Sequence, residues 1–204
     1  LGPGRAGAVR NVICDGPYNP DVVGFIETRG KEAVVDMKVC GYKLIKALPV
    51  DAVKTKSGGL ELWAKHSLAI TSVDSHSNRI ISCRIVRDKI KYCFVFVYGY
   101  SDNKLNGELK KWIKNKIGKN TIIFGDVNSL QLDYSGFVDG YGTNGVGDKW
   151  TWSRDVNGIT RTSHIDRVYH NLHFYPGVYH LDFPTFTFGA NKDKRISDHK
   201  PIWF

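Results

Sequence analysis

Four short segments of this sequence end apolar runs in residues able to hold a cation or move a proton. Glu27 closes GFIETR, Asp126 and Asn128 follow IIFG, Asp166 lies within TSHIDRVY, and Asp198-His199 precede KPIWF. The ends of strands are where a scaffold presents side chains to a substrate. Together these residues offer carboxylates for a hard, oxygen-seeking cation, one imidazole and one amide. Phosphodiester hydrolysis needs that set: a metal to neutralise developing charge, a group to orient or deprotonate water, and donors for the phosphate oxygens. Singly, an Asp after a strand is a common turn former or helix cap; their joint occurrence in this order carries the argument.

The segments must sit on a sheet-rich scaffold. Asp21 to Thr28, Leu60 to Ala64, Ile80 to Val86, Ile90 to Tyr98 and Thr121 to Phe124 have the length and the β-branched or aromatic content of strands. Leu105 to Ile117 is the clearer helix, with Leu105, Leu109, Trp112, Ile113 and Ile117 on one face. A second helix, roughly Arg5 to Cys14, is expected to stop before Asp15-Gly16-Pro17. Gly140 to Gly145 matches G-x-G-x-x-G by letter but leads into Trp150-Thr151-Trp152, so the stretch from Gly136 to Gly147 is expected to be a loop.

Composition narrows the class. The chain has 204 residues, 42% hydrophobic and 24% charged, which suits one globular domain spanning 1–204. No apolar run approaches the ~20 residues of a bilayer span, and Leu1 to Arg10 has no apolar signal-peptide core, so the expectation is an intracellular protein without membrane contact. Four scattered cysteines without a C-x-x-C pair suggest buried, reduced thiols. His170, His173 and His180 lack a carboxylate or Cys to complete a zinc set and read as surface or packing residues.

The net charge of +9 favours a polyanionic partner, nucleic acid first. Lys192, Lys194 and Arg195 stand just before Asp198-His199, while Arg79, Arg84, Arg87, Lys89 and Lys91 flank a hairpin. Trp150 and Trp152 suit either base stacking or burial.

On PDVVGFIETR, SGGLELWAK, FVYGY, IIFGDVNS, TWSR, SHIDRVY and ISDHKPI, the chain resembles the endonuclease/exonuclease/phosphatase family. The pairing of TWSR with S-x-IDR resembles most closely the endonuclease domains of non-LTR (LINE-type) retrotransposons. The resemblance implies a deoxyribonuclease I-like fold, a four-layer α/β sandwich of two packed, mainly antiparallel β-sheets flanked by helices. It also implies a Mg²⁺-dependent endonuclease, with Mn²⁺ as a substitute, that nicks one DNA strand and leaves a 3′-hydroxyl for target-primed reverse transcription. A reverse-transcriptase domain in the same polyprotein and a nuclear location follow from the same resemblance.

The roles implied are residue by residue. Glu27 binds the metal, Asp126 positions or activates water, Asn128 holds the phosphate, and His199 stabilises the transition state. Asp166 orients His199, Asp198 lies near the metal or leaving group, and Tyr98 contacts the phosphate. Thr151, Trp152, Lys192, Lys194 and Arg195 are then DNA contacts.

Three departures stand out. The chain opens at Leu1-Gly2, where the resemblance implies that the family's first strand and its Asn have already passed. Tyr100 stands where many relatives have proline, and His164 where Arg or Lys is common. The first departure keeps a second expectation open: a catalytically weakened or inactive DNA-binding remnant. A phosphatase acting on lipid or nucleotide phosphates fits TWSR, S-x-IDR and the basic charge less well.

Overall fold

Residues 58–65 read GGLELWAK, and in a strand alternate side chains face opposite ways. Leu60, Leu62 and Ala64 fall on one side, Glu61 and Trp63 on the other, and all five are buried. A strand covered on both faces lies inside a layered structure, and the surrounding elements supply the layers. The computed structural model describes residues 10–11, 13–16, 19–29, 36–50, 58–140, 145–146, 151–173, 178–180, 199 and 202–203.

Strand β1 (Val22–Ile26), β2 (Tyr42–Val50) and β3 (Gly58–Lys65) form a small antiparallel sheet in the order β1-β3-β2. A larger sheet contains β4 (Ala69–His76), β5 (Ile80–Arg87), β6 (Ile90–Tyr98), β7 (Thr121–Asp126), β8 (Val138–Asp139) and β12 (Asp166–His170). Its order is β4-β5-β6-β7-β12-β8, and only β6 and β7 run parallel. That parallel pair requires a crossover connection, which the helix Asn106–Lys114 supplies. A short β9 (Gly145–Val146) pairs with β13 (Val178–His180), which also pairs with β14 (Ile202–Trp203). Finally, β10 (Trp152–Val156) and β11 (Ile159–Ser163) make a separate hairpin.

Three apolar clusters follow from this layering. Between the two sheets lie Leu48, Leu60, Leu62, Ala64, Ile81, Ile85, Phe96, Phe124 and Val168. Truncating one of these to Ala would cost about 2–5 kcal/mol by the usual cavity cost. The far face of the large sheet packs Val95, Val97 and Ile123 on Leu109 and Ile113 of the helix. The far face of the small sheet, through Val23, Phe25, Tyr42 and Trp63, meets Ile13 of the N-terminal helical residues. Helix, sheet, sheet and helix thus stack as four layers, the architecture that the sequence implied.

Several expectations are corrected. The helix is shorter than Leu105 to Ile117: Asn103–Leu105 is a 3₁₀ turn capped by the Asp102 carboxylate, and the α-helix ends at Lys114. The glycine-rich stretch is not wholly loop, because Val138–Asp139 and Gly145–Val146 are paired as strands. The strands β2 and β4 went unmarked, since β4 is an edge strand with mostly exposed Ser, Thr and Asp. Cys14 and Cys40 are joined as a disulfide across a Cα separation of 5.4 Å, within the usual range, so only Cys83 and Cys93 are buried free thiols. Among the described residues, no helix is long and apolar enough to cross a membrane.

Candidate active site

Gly125, the residue before Asp126, has φ +131°, and an added Cβ would collide with the Val97 carbonyl. Glycine there lets β7 press against β6 and carries the chain to its end at Asp126. Asp126 pairs with Asp166 as the last register of the β7–β12 ladder, and Tyr98 pairs with Asp126 from the other side. Three polar side chains therefore end three adjacent strands at one sheet edge.

Asp166 is the hub of the polar arrangement. Its carboxylate oxygens lie 3.1 and 2.9 Å from His199 Nδ1, which leaves Nε2 as the imidazole atom for a substrate. Its amide N–H donates to Thr151 Oγ1 at 3.0 Å, and the Ile165 N–H donates to the same oxygen at 3.2 Å. His199 is itself bridged to Trp152, at the base of the β10–β11 hairpin. Segments about fifty residues apart in sequence thereby fix the imidazole against the sheet.

Asp126 is 3% exposed and faces like charge. Burial raises its carboxyl pKa most, Asp166 and Glu27 raise it further, and His199 and the Asn128 amide pull it down; the net direction is strongly upward. The Asn128 N–H donates to Asp126 Oδ1 at 2.9 Å, and Asn128 Nδ2 donates to the Gly99 carbonyl at 3.0 Å. Asn128 adopts this turn with φ +47°, in the left-handed region where Asn is among the more tolerant residues.

Glu27 stands on the other sheet, just past β1, with φ +57°. Its carboxylate accepts the Tyr98 hydroxyl at 2.7 Å and lies 3.8 Å from the Arg29 guanidinium, with the side chain 39% exposed. Tyr98 itself is buried, and burial first, then the hydrogen bond to Glu27, pushes its phenol pKa upward. The phenol thus stays a donor. Glu27 brings the second sheet's only contribution among these groups to the place where β6 and β7 end and β12 begins.

The donor set suits a divalent metal. Ligand atoms of Asp126, Asp166 and His199 lie within 4.8 Å of one another, and the Asp126 pKa, raised first by burial and then by the Asp166 charge, is one that a bound cation would bring back down. Among the described residues this is the group so assembled. The two carboxylates of this group match a hard cation, while His199 Nδ1 is already held by Asp166.

Other residues singled out in the sequence fall differently. Thr151, expected against DNA, is fully buried and spends its hydroxyl on the backbone amides of residues 165 and 166, so it presents no surface. Trp152 is half-buried. Arg79 is 2% exposed, unlike the solvent-facing Arg84 and Arg87, because its guanidinium stacks on the Tyr98 and Tyr100 rings. His170 is fully buried and His173 exposed. Asp198, Lys192, Lys194, Arg195 and Trp150 lie outside the described residues.

Sequence reasoning missed the roles of Thr151 and Arg79. The β5–β6 hairpin register sets Ile80 against Val97. Matching the two strand ends would have placed Arg79 beside Tyr98.

Residues 6–199 match the endonuclease/exonuclease/phosphatase family. Truncated TDP2 of Caenorhabditis elegans superposes with a TM-score of 0.75 at 16% identity, over 98% of this chain and 89% of that one. TDP2 of D. rerio, complexed with single strand DNA product, gives 0.66 at 15% identity over 98% and 90%. The human Nocturnin catalytic domain with bound sulfate anion gives 0.62 at 14% identity over 97% and 83%. A comparison with curated proteins finds no match. The structural likenesses establish the fold, and the match across residues 6–199 establishes that this chain belongs to the endonuclease/exonuclease/phosphatase family.

Proposed function

We propose that this chain is a divalent-metal-dependent endonuclease that hydrolyses one strand of duplex DNA and leaves a 3′-hydroxyl. The observation that carries this reading is the placement of Asp166 between two partners: it pairs across the strand with Asp126 and holds His199 Nδ1 at 2.9 Å. One side of the hub has a buried carboxylate suited to orient and deprotonate water, and the other an oriented imidazole suited to stabilise phosphoryl charge.

As Asp126 accepts a proton of the attacking water, the new P–O bond forms and the P–O3′ bond breaks, and the departing 3′-oxygen takes a proton from solvent; Asn128, held by Gly99 and Asp126, keeps the loop in place. His199, protonated at both ring nitrogens, donates Nδ1–H to Asp166 and offers Nε2–H to a phosphoryl oxygen. Tyr98 and Glu27 are linked at 2.7 Å, so a phosphate contacting the phenol also approaches the glutamate. Glu27, with Asp126 and Asp166, would hold Mg²⁺ or Mn²⁺, which would supply charge neutralisation. Asp198 belongs beside this set by sequence alone.

DNA as the substrate is supported by the +9 charge and by the D. rerio TDP2 neighbour, whose structure holds single strand DNA product. Lys192, Lys194, Arg195 and Trp152 are the proposed DNA contacts. The TWSR and SHIDRVY segments support the narrower reading, a nicking domain of a non-LTR retrotransposon acting in the nucleus with a reverse-transcriptase domain.

The test uses a duplex oligonucleotide labelled on each strand, incubated with Mg²⁺, with small phosphomonoesters and bis-p-nitrophenyl phosphate as competitors. Cleavage of one strand to an end that a polymerase extends supports the proposal. Preference for the small esters, or ends that cannot be extended, contradicts it.

A further inference from the structure

Arg79 is among the least exposed charged residues described, at 2%. Burying a guanidinium costs several kcal/mol unless its surroundings compensate. Here its carbon Cζ lies 4.4 Å from the centroid of the Tyr98 ring and 4.4 Å from that of Tyr100. A planar cation over two aromatic rings suits a guanidinium, which also stacks, better than a compact ammonium. Its charge also opposes that of Glu27 and Asp126 at the Tyr98 phenol.

The two tyrosines are themselves fixed. The Tyr98 N–H donates to the Arg79 carbonyl at 2.8 Å. Fully buried Asn106, at the start of the helix, accepts the Tyr100 N–H and donates to the Tyr100 carbonyl, each at 2.9 Å. Between them, the Gly99 N–H donates to the Asp126 carbonyl at 2.8 Å, and the Gly99 carbonyl accepts Asn128 Nδ2. The 98–100 segment is thus tied to β5, the helix and the Asp126–Asn128 loop, with Arg79 filling the gap between its two rings.

We propose that Arg79 is a positioning residue: clamped between Tyr98 and Tyr100, it holds the Tyr98 ring where its hydroxyl meets Glu27. This rests on the reading above of Tyr98 as a phosphate contact and Glu27 as a metal ligand. Arg79 touches neither substrate nor metal; it acts through Tyr98. The stack needs both partners, so Tyr100, at the same distance from the guanidinium, serves the same end.

The experiment compares the wild-type chain with Arg79→Lys, Arg79→Met, Tyr100→Leu, Tyr98→Phe and the Arg79→Lys/Tyr98→Phe double variant. Two readouts are taken: the Mg²⁺ concentration giving half the maximal thermal shift, and kcat and KM for plasmid nicking. Arg79→Lys keeps the charge and guards against a misfolded Arg79→Met. Arg79→Lys and Tyr100→Leu are each expected to lower kcat about tenfold, leave KM within about twofold, and raise the Mg²⁺ midpoint about threefold or more. Adding Arg79→Lys to Tyr98→Phe should then cost less than about twofold further.

A midpoint and kcat within about twofold of wild type in Arg79→Lys, or full additivity with Tyr98→Phe, would overturn the proposal. If the wild-type chain binds Mg²⁺ but does not nick, the nuclease reading fails while the Mg²⁺ midpoint still decides the role of Arg79. A chain that neither nicks nor shifts with Mg²⁺ overturns both.

Discussion

Asp126 and Asp166 face each other as the terminal pair of the β7–β12 ladder. Directly opposed residues of an antiparallel pair project from the same face with Cβ atoms about 4.5–5.5 Å apart. Two like charges at that spacing, one of them 3% exposed, destabilise the strand end that presents them. The same spacing suits a cation.

The cost has a sign in pH. The Asp126 pKa is raised by burial and by Asp166, so the folded state binds a proton that the unfolded chain releases above 3.8. Stability is therefore greatest below that value and falls as pH rises through the raised folded-state pKa. Asp126→Asn removes this loss. It should stabilise the metal-free chain at pH 8 by about 1–3 kcal/mol relative to its effect at pH 5, while abolishing the Mg²⁺-induced thermal shift. Thermal melts at the two pH values check it; a melting-temperature difference between Asp126→Asn and wild type that is the same at pH 8 as at pH 5 counts against the argument from burial and crowding.

Thr151→Val tests the hidden support of the hub. The variant keeps the shape but leaves the Ile165 and Asp166 amides without their acceptor. Unsatisfied buried donors cost about 1–3 kcal/mol, so a destabilisation of that size is expected, with kcat falling along with it as Asp166 loosens. Denaturant unfolding and nicking rates measure both; stability equal to wild type would show that the hydroxyl is dispensable.

Tyr98→Phe removes the donor to Glu27 and little else. The ring stays buried on Arg79, so stability should change by only about 1 kcal/mol. Nicking should fall about 10- to 100-fold in kcat. A variant that nicks normally would take Tyr98 out of the chemistry.

Asp166→Asn and His199→Ala remove parts of one unit, because the Asp166 carboxylate holds Nδ1. Each should lower kcat by about 10²-fold or more, and the double variant should be little worse than the more damaged single. Multiplicative losses would mean that the two residues act independently.

Much of this was legible in the sequence for a physical reason. Of the strands with β-branched or aromatic runs, Ile90–Tyr98, buried over its second half, matches to the residue, and the others match to within one or two residues at each end. The edge strand β4 was not, since its exposed polar residues carry no apolar alternation. At the site, ligand atoms of the motif residues Asp126, Asp166 and His199 come within 4.8 Å of one another, and Tyr98 meets Glu27. Thr151 and Arg79 escaped because their roles depend on pairing. Thr151 looks like a surface hydroxyl until β10–β11 and β12 meet around it, and Arg79 looks like one cation of five until two rings enclose it. The Cys14–Cys40 bond depended likewise on a spatial meeting across 26 residues.

The most direct test of the central claim is nicking of supercoiled plasmid by the wild-type chain and by His199→Ala, each with Mg²⁺ and with a chelator. The account predicts open-circular product from the wild-type chain with Mg²⁺ only, reduced at least about 100-fold in His199→Ala. Equal nicking by both proteins, or nicking that persists in the chelator, would contradict the assignment of Asp126, Asp166 and His199 as the active site.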